Sequence, residues 1–569
     1  MRIRTIFCIA LLSLTIQSQA QTLMPVPDTL SGAVINLTMH KDSVQFFPGR
    51  ITQTYAFNSF HYHGPTIILR KGLNVSLVVN NQIGDTTTVH WHGLHVASKN
   101  DGGPFSMIMA GMSWNPQFKV MDRASTYWYH PHMDKKTAEQ AIKGAAGMII
   151  VRDSMEAALN LPRIYGVDDF PIIVQCLQFD SVNQPSPKGM RDSTLLVNGV
   201  TKPFVNLPAQ VVRLRLLNAS GERTFQFGFT GNKSFHQIGS DGGLLQTPFS
   251  TNRVRLSPGE RAEVLLDLGG MLGQTVYLMS YGSELPMGVA GGPTMPMPPP
   301  SPPMDSPLNG IDFNILKINV AAQTSNPVTT IPSSLVTVTP LLTSASTKSR
   351  TIVMTAVDTM NMDGPFLFNG LAFDMKRIDY YIPLGSVEIW TLINKTMVGH
   401  PFHLHDSQFY IIDRKGVPPG PSESGRKDVV LLMPYDTLRI ITKFEDFTND
   451  TIPYMFHCHI LMHEDDGMMG QFLVVPASEA GIVNRQNSYG IRIYPNPANI
   501  DLTIESIRTE NPIEFVTVLN LLGQRQSLLV NANATLQTIH IPVSQLPAGQ
   551  YLVEIRTREG IAYQKLIKQ

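Results

Sequence analysis

Cysteine is nearly missing from this chain, with three residues (Cys8, Cys176 and Cys458) in 569. Three thiols cannot build the dense disulfide framework of a small secreted domain, so burial has to hold the fold. Net charge is missing too, since 44 acidic residues balance 44 basic ones. A balanced chain carries no basic footprint, and neither nucleic acid nor an anionic membrane is expected as a partner. No apolar run reaches bilayer length; the best candidate, from Ile6 to Ile16, is too short to span as a helix. Arg2 and Arg4 precede that run and Ser18-Gln19-Ala20 follows it, which gives residues 1–20 the layout of a secretory signal peptide.

The chain is rich in turn formers instead, with 43 Gly and 41 Pro beside a hydrophobic content of 43%. That combination points to an all-β protein of many short strands, and the length suits three or four domains. Leu73 to Val79 and Val211 to Leu217 read as strands. Pro171 to Leu177 reads as a buried strand, which makes Cys176 a core thiol, against a ligand of a further metal site. With Cys8 lost in the signal, no disulfide is expected.

The chemistry concentrates in His457-Cys458-His459-Ile460-Leu461-Met462-His463-Glu464-Asp465-Asp466-Gly467-Met468. Thiolate, imidazole and a weak thioether are the ligand set of a blue-copper electron-transfer site. Side chains alternate along a strand, so Cys458 faces one way and His457 and His459 the other. One segment then reaches two metal sites, joined covalently through Cys458. Setting aside His61/His63, three more His-x-His pairs, His90/His92, His130/His132 and His403/His405, bring the imidazoles considered to eight, suited to about three metals. His400 has the opposite parity to His403 and faces the Cys458 side. Parity thus sorts His400, Cys458, His463 and Met468 into one site and the eight paired histidines into another.

These motifs resemble those of the multicopper oxidases, specifically bacterial laccases. The match runs through His90-Trp91-His92-Gly93, Tyr129-His130-Pro131-His132, His400-Pro401-Phe402-His403-Leu404-His405 and the Cys458 segment, in the family's order. It extends to Gly64-Pro65-Thr66-Ile67 and Ser240-Asp241-Gly242-Gly243, and covers most of residues 30 to 476. The resemblance implies His400, Cys458 and His463 with axial Met468 as type 1 copper ligands. It implies His90 and His403 at type 2 copper, and His92, His130, His132, His405, His457 and His459 at the type 3 pair. Four coppers per chain follow. One-electron oxidation of a phenol or aromatic amine would occur at type 1, with electrons passing through Cys458 to His457 and His459, and four-electron reduction of O2 to water at the cluster. Asp101 matches a family acid near that cluster and is read as a proton relay, against a plain turn residue before Gly102-Gly103. Glu464 receives the same reading, against a solvated acid in an acidic run. Met360, Met362 and Asp363 are candidates for the substrate pocket, against a plain turn.

The implied architecture is three consecutive cupredoxin-like Greek-key β-sandwiches, at 21–155, 156–325 and 326–476. A linker at 477–487 and a small β-sandwich at 488–569 follow. Tyr494-Pro495-Asn496-Pro497 and Leu546-Pro547-Ala548-Gly549-Gln550-Tyr551 resemble the C-terminal sorting domain of the type IX secretion system of Bacteroidetes. That implies the secretion machinery as partner and an extracellular or cell-surface destination, reached by way of the periplasm. The middle sandwich has no ligand motif and reads as a spacer. Within it, residues 285–308 hold Met287, Met295, Met297 and Met304 among prolines, which reads as a linker or as a Cu(I) trap. The rival functions are a cuprous oxidase in copper tolerance, a non-catalytic electron-carrier cupredoxin and a nitrite reductase. His61 and His63 read as a surface loop or as adventitious metal binders, His95 as a polar residue near the cluster mouth, and His236 as a structural histidine.

Overall fold

The structure is a computed structural model that describes residues 21–569 apart from 188–190, 295–305, 359–363, 450, 478–489, 508–510, 521–523 and 559. The candidate pocket residues Met360, Met362 and Asp363, the signal segment, and Met295, Met297 and Met304 lie outside the described residues.

The chain is nearly all β, with three cupredoxin-like sandwiches in sequence and a smaller sandwich at the C-terminus. Each has its own apolar core: Leu37, Leu77 and Ile149 in the first, Leu214, Phe227 and Val264 in the second, Trp390, Phe402 and Phe456 in the third, Val516 and Val553 in the last. Cys176 is buried in the second core, and Cys176 and Cys458 are both free. One strand crosses a boundary expected from sequence. Thr22–Leu23 pairs in parallel with Pro203 and Phe204, so it joins the second sandwich.

Buried ion pairs weld the sandwiches together. The strand Val211–Asn218 is buried on both faces, although Arg213 and Arg215 alternate along it. Arg213 pairs with Glu156 at 2.7 Å and with Glu263, and Arg215 pairs with Asp169 at 2.7 Å. Thr126 Oγ1 of the first sandwich donates to Glu263 at 2.7 Å. Guanidinium forks matched to carboxylates satisfy charges that would otherwise be costly to bury. Between the second and third sandwiches, Lys427 contacts Asp241 and Glu260, both at 2.9 Å.

Two strand pairings position the histidines. His90–His92 runs antiparallel to Ser125–His130, which sets His130 opposite His90 and Trp128 opposite His92. That strand ends at His130, so Pro131 costs no ladder hydrogen bond. In the third sandwich, His400–Leu404 lies between Val429–Leu432 and Tyr454–Cys458. Phe402 opposes Cys458 and His403 opposes His457. Opposed residues share a face, so Cys458 turns into the third core with Phe402 while His403 and His457 turn away from it.

Candidate metal centre

All eight paired histidines are buried. Their ring nitrogens gather into groups: His90, His92 and His403; His92, His130 and His459; His132, His405 and His457. In the last group the Nε2 atoms are 3.1 to 3.3 Å apart. Each Nδ1 faces an acceptor elsewhere. His405 Nδ1 donates to Asp101 Oδ2 at 2.7 Å, His457 Nδ1 to the Cys458 carbonyl at 3.0 Å, and His132 Nδ1 lies 3.3 Å from Glu464 Oε1. With the protons on Nδ1, three lone pairs face one another, which is repulsive unless a cation lies between them. Bonds of about 2.0 Å in a tetrahedral arrangement put neighbouring nitrogens about 3.3 Å apart, so the spacing fits a bound metal.

The other groups behave alike, except that His459 Nδ1 is buried without a hydrogen-bond partner. His92 Nε2 donates to Asp428 Oδ1 at 3.1 Å, which leaves Nδ1 facing His130 Nε2 and His459 Nε2, each at 3.3 Å. His90 Nδ1 and His403 Nδ1 donate to the carbonyls of Asp101 and Asp428, each at 2.8 Å, and their Nε2 atoms are buried without any partner. Buried imidazole nitrogens with free lone pairs facing one another suit a cation. Outer carboxylates of this kind fix tautomer and ring orientation.

Cys458 gathers the remaining ligands. His400 Nδ1 and His463 Nδ1 each lie 3.6 Å from its Sγ. A trigonal site with bonds of about 2.0–2.3 Å places nitrogen and sulfur about 3.6–3.7 Å apart. Burial pushes the thiol pKa up, so a bound cation is needed to keep the thiolate. His400 Nε2 donates to Thr396 Oγ1 at 2.8 Å, and the Phe366 ring packs 4.7 Å from His400 and 4.5 Å from His463. Met468 is buried in the same core. Its N–H donates to the His463 carbonyl at 2.8 Å, and its own carbonyl accepts from the Cys458 N–H at 3.1 Å.

Asp101 and Glu464 each touch two candidate ligands. Besides His405, Asp101 lies 3.4 Å from His90 Nδ1; besides His132, Glu464 lies 3.1 Å from His457 Nδ1. Both acids are 2% exposed, which removes the solvated-acid reading of Glu464. Asp465 caps the helix Thr137–Ile142 through the N–H groups of Thr137 and Ala138, and burial together with Glu464 pushes its pKa up to about 8.

Family models described as multicopper oxidase match residues 38–156, 178–289 and 346–478. The multicopper oxidase mco of Staphylococcus haemolyticus is 33% identical over 448 residues, 77% of this chain and 88% of that protein. The chain belongs to the multicopper oxidase family. This oxidase also resembles, at 33% identity and a TM-score of 0.70, the structure of a bacterial laccase-like multi-copper oxidase CueO from Ochrobactrum sp., covering 79% of this chain and all of that one. The cell division protein FtsP of Photorhabdus laumondii is 31% identical over 468 residues, 81% of this chain and 93% of that protein. A secretion system C-terminal sorting domain matches residues 492–569.

Sequence reasoning missed Asp428, Arg261 and Thr396. Arg261 grips Asp428 with both terminal nitrogens at 2.6 Å, and its N–H donates to Asp241 Oδ1 at 2.8 Å. The Ser240-Asp241-Gly242-Gly243 motif was the one signal pointing at this network. Gly93 has φ +87°, and a Cβ there would collide with Asp428 and Arg261, which explains the glycine after His92.

The surface-loop reading fails for one of its two histidines. His61 is exposed and pairs with Asp42 at 2.8 Å, but His63 is buried. Its backbone takes φ +61°, and its Nε2 donates to Gln175 Oε1 at 2.9 Å. Burial lowers its pKa from 6.5 to about 4. The unfolded chain therefore takes up the proton first, and the stability from neutral His63 is present above pH 6.5 and lost as pH falls towards 4. Melting curves of the copper-free protein should show His63→Gln losing less Tm than the parent between those pH values. His95 sits among acids: burial alone would lower its pKa, but Asp406, at 2.8 Å, with Asp122 and Asp446, raises it to about 10.

Proposed function

We propose that the chain is an exported laccase-like oxidase that couples one-electron oxidation of a phenol or aromatic amine to reduction of O2 to water. The observation that carries this reading is the environment of three consecutive residues. Cys458 stands with His400 and His463, while His457 and His459 stand in two different histidine triads. Copper held by the Cys458 set would accept single electrons, and three further coppers held by the eight paired histidines would pass four of them to O2.

The chain's own residues supply the rest. His463 is 6% exposed and its Nε2 has no partner among the described residues, whereas His400 is sealed behind Thr396. The reductant therefore docks against the His463 edge. Backbone bonds carry the electrons from Cys458 to His457 and His459. The carboxylates of Asp101 and Glu464, set against the Nδ1 atoms of His405, His132 and His457, are placed to pass protons toward the O2 site, and Asp465, with its pKa raised, stands next to Glu464 as a proton source near neutral pH. Asp101→Asn should lower kcat about 100-fold at neutral pH, with KM for the reductant and the visible spectrum unchanged. Steady-state rates across pH on copper-loaded protein check this.

A cuprous-ion reductant is the second reading. It is favoured by the half-exposed thioether of Met287, whose neighbour Gly288 accepts a hydrogen bond from Gly399, next to His400. Oxygen uptake driven by Cu(I) against uptake driven by a phenol, in parent and Met287→Leu proteins, separates the two. The sorting-domain match supports passage through the type IX route. Mass spectrometry of secreted protein should then find residues 1–20 and the C-terminal module removed.

A further inference from the structure

None of the histidine or cysteine ligands proposed for the two copper sites lies in the second sandwich, yet its described residues grip both histidine-bearing segments around Cys458. The Leu461 N–H, two residues before His463, donates to the Gly221 carbonyl at 2.9 Å. The Gly399 N–H, one residue before His400, donates to the Gly288 carbonyl at 2.7 Å. Gly221 and Gly288 belong to separate turns of the second sandwich, and those turns are fastened together. Thr224 N–H donates to the Ala290 carbonyl at 2.9 Å. A Cβ on Gly291 would meet the Thr224 carbonyl at 2.7 Å and the Arg223 side chain at 3.1 Å, so this turn lies directly on Arg223.

Arg223 is 3% exposed. Its Nε donates to Asp192 Oδ2 at 2.6 Å, and its Nη2 donates to Asp192 Oδ1, to Ser306 Oγ at 2.8 Å and to Asn309 Oδ1 at 2.8 Å. Its Nη1 donates to the Leu308 carbonyl at 3.3 Å. A buried guanidinium with this many fixed partners is a rigid post. It packs under the turn at Gly291 and joins the Arg223 segment by hydrogen bonds to Ser306, Leu308 and Asn309.

We infer that Arg223 is a positioning residue for the Cys458 site. Acting through the Gly221 and Gly288 carbonyls, it sets how His400 and His463 are held about the sulfur and shapes the rim that the reductant meets. The inference rests on the reading of His400, Cys458 and His463 as copper ligands. Groups outside the ligand set tune a metal through ligand orientation, and their loss typically costs about 10–100-fold in affinity or activity.

The test uses copper-loaded, full-length protein carrying Arg223→Lys, with Asn309→Ala as a milder variant that leaves the Arg223–Asp192 pair intact. The visible thiolate band, the type 1 electron paramagnetic resonance signal and the type 1 reduction potential are recorded with the type 2 signal as internal control. The expected result is a shifted thiolate band and potential, a fall of about tenfold in kcat/KM for the reductant, and unchanged type 2 signal and KM for O2 in Arg223→Lys. Asn309→Ala should shift the same band in the same direction by less. If Arg223→Lys does not fold, Asn309→Ala alone decides. A band and potential identical to the parent in the folded variant overturn the inference, as does an equal change at the type 2 signal. Absence of a thiolate band in the parent protein would instead overturn the ligand reading beneath it.

Discussion

Cys458→Ser should reduce oxygen uptake driven by an organic reductant on the order of a thousandfold or more, equivalent to about 4 kcal/mol of barrier. The substitution is nearly isosteric and sits in a core where Phe402 and Phe456 pack around the side chain, so the third sandwich should fold unchanged. A hydroxyl keeps the shape and loses the soft anionic donor that cupric and cuprous ions both accept. His457 and His459 keep their places because the strand pairing of His457 with His403 and the His459 N–H to the Pro401 carbonyl, at 2.7 Å, do not involve the sulfur. The cluster then retains its metal and is cut off from its donor. Steady-state oxygen uptake, with a circular dichroism check on folding, measures this.

Asp428→Ala should destabilise the copper-free protein by about 3–5 kcal/mol, because Arg261 is left buried without its partner. Arg261 is fully buried, and its two terminal nitrogens both meet Asp428 at 2.6 Å. Burial alone would lower the guanidinium pKa and Asp428 and Asp241 raise it; an arginine is protonated throughout the accessible pH range, so Arg261 stays charged when Asp428 is removed. His92 loses the acceptor of its Nε2 proton in the same step and becomes free to change tautomer. Copper affinity at the His92, His130 and His459 triad should fall about 10–100-fold for that reason. Adding Arg261→Met should recover most of the stability and none of the affinity. Denaturation midpoints and copper titrations of the two variants separate the two roles.

The separation of His400 and Cys458 from His403 and His457 was legible because it depends on strand parity, whereas His463 stands on the short helix Leu461–Asp465, where parity along a strand does not apply. His400 and Cys458 lie on one face of paired strands, and His403 and His457 on the other, as alternation requires. How the eight paired histidines divide among themselves was not legible from spacing. His92 and His130 come together with His459, and His132 with His405 and His457, through the packing of the first sandwich on the third. Nor could the sequence reveal that His92 offers Nδ1, since that follows from Asp428 claiming Nε2. Asp101 and Glu464 were found because they lie close in sequence to ligand motifs. Asp428 follows Arg426 and Lys427 in a run that reads as ordinary surface charge. His63 was misread because its left-handed backbone turns the ring inward, and the sequence offered no glycine or asparagine at that position to announce it. A spacer role for the second sandwich follows from its lack of ligand motifs; that its Gly221 and Gly288 carbonyls bond the backbone beside His463 and His400 is visible only in the folded chain.

The copper content and visible spectrum of parent and Cys458→Ser protein, prepared side by side, test the bridge between two metal sites most directly. Four coppers per chain with an intense thiolate band are expected in the parent, and three coppers with no such band in the variant. A parent with one copper, or a variant that loses all of them together, would contradict a lone site joined to a separate cluster.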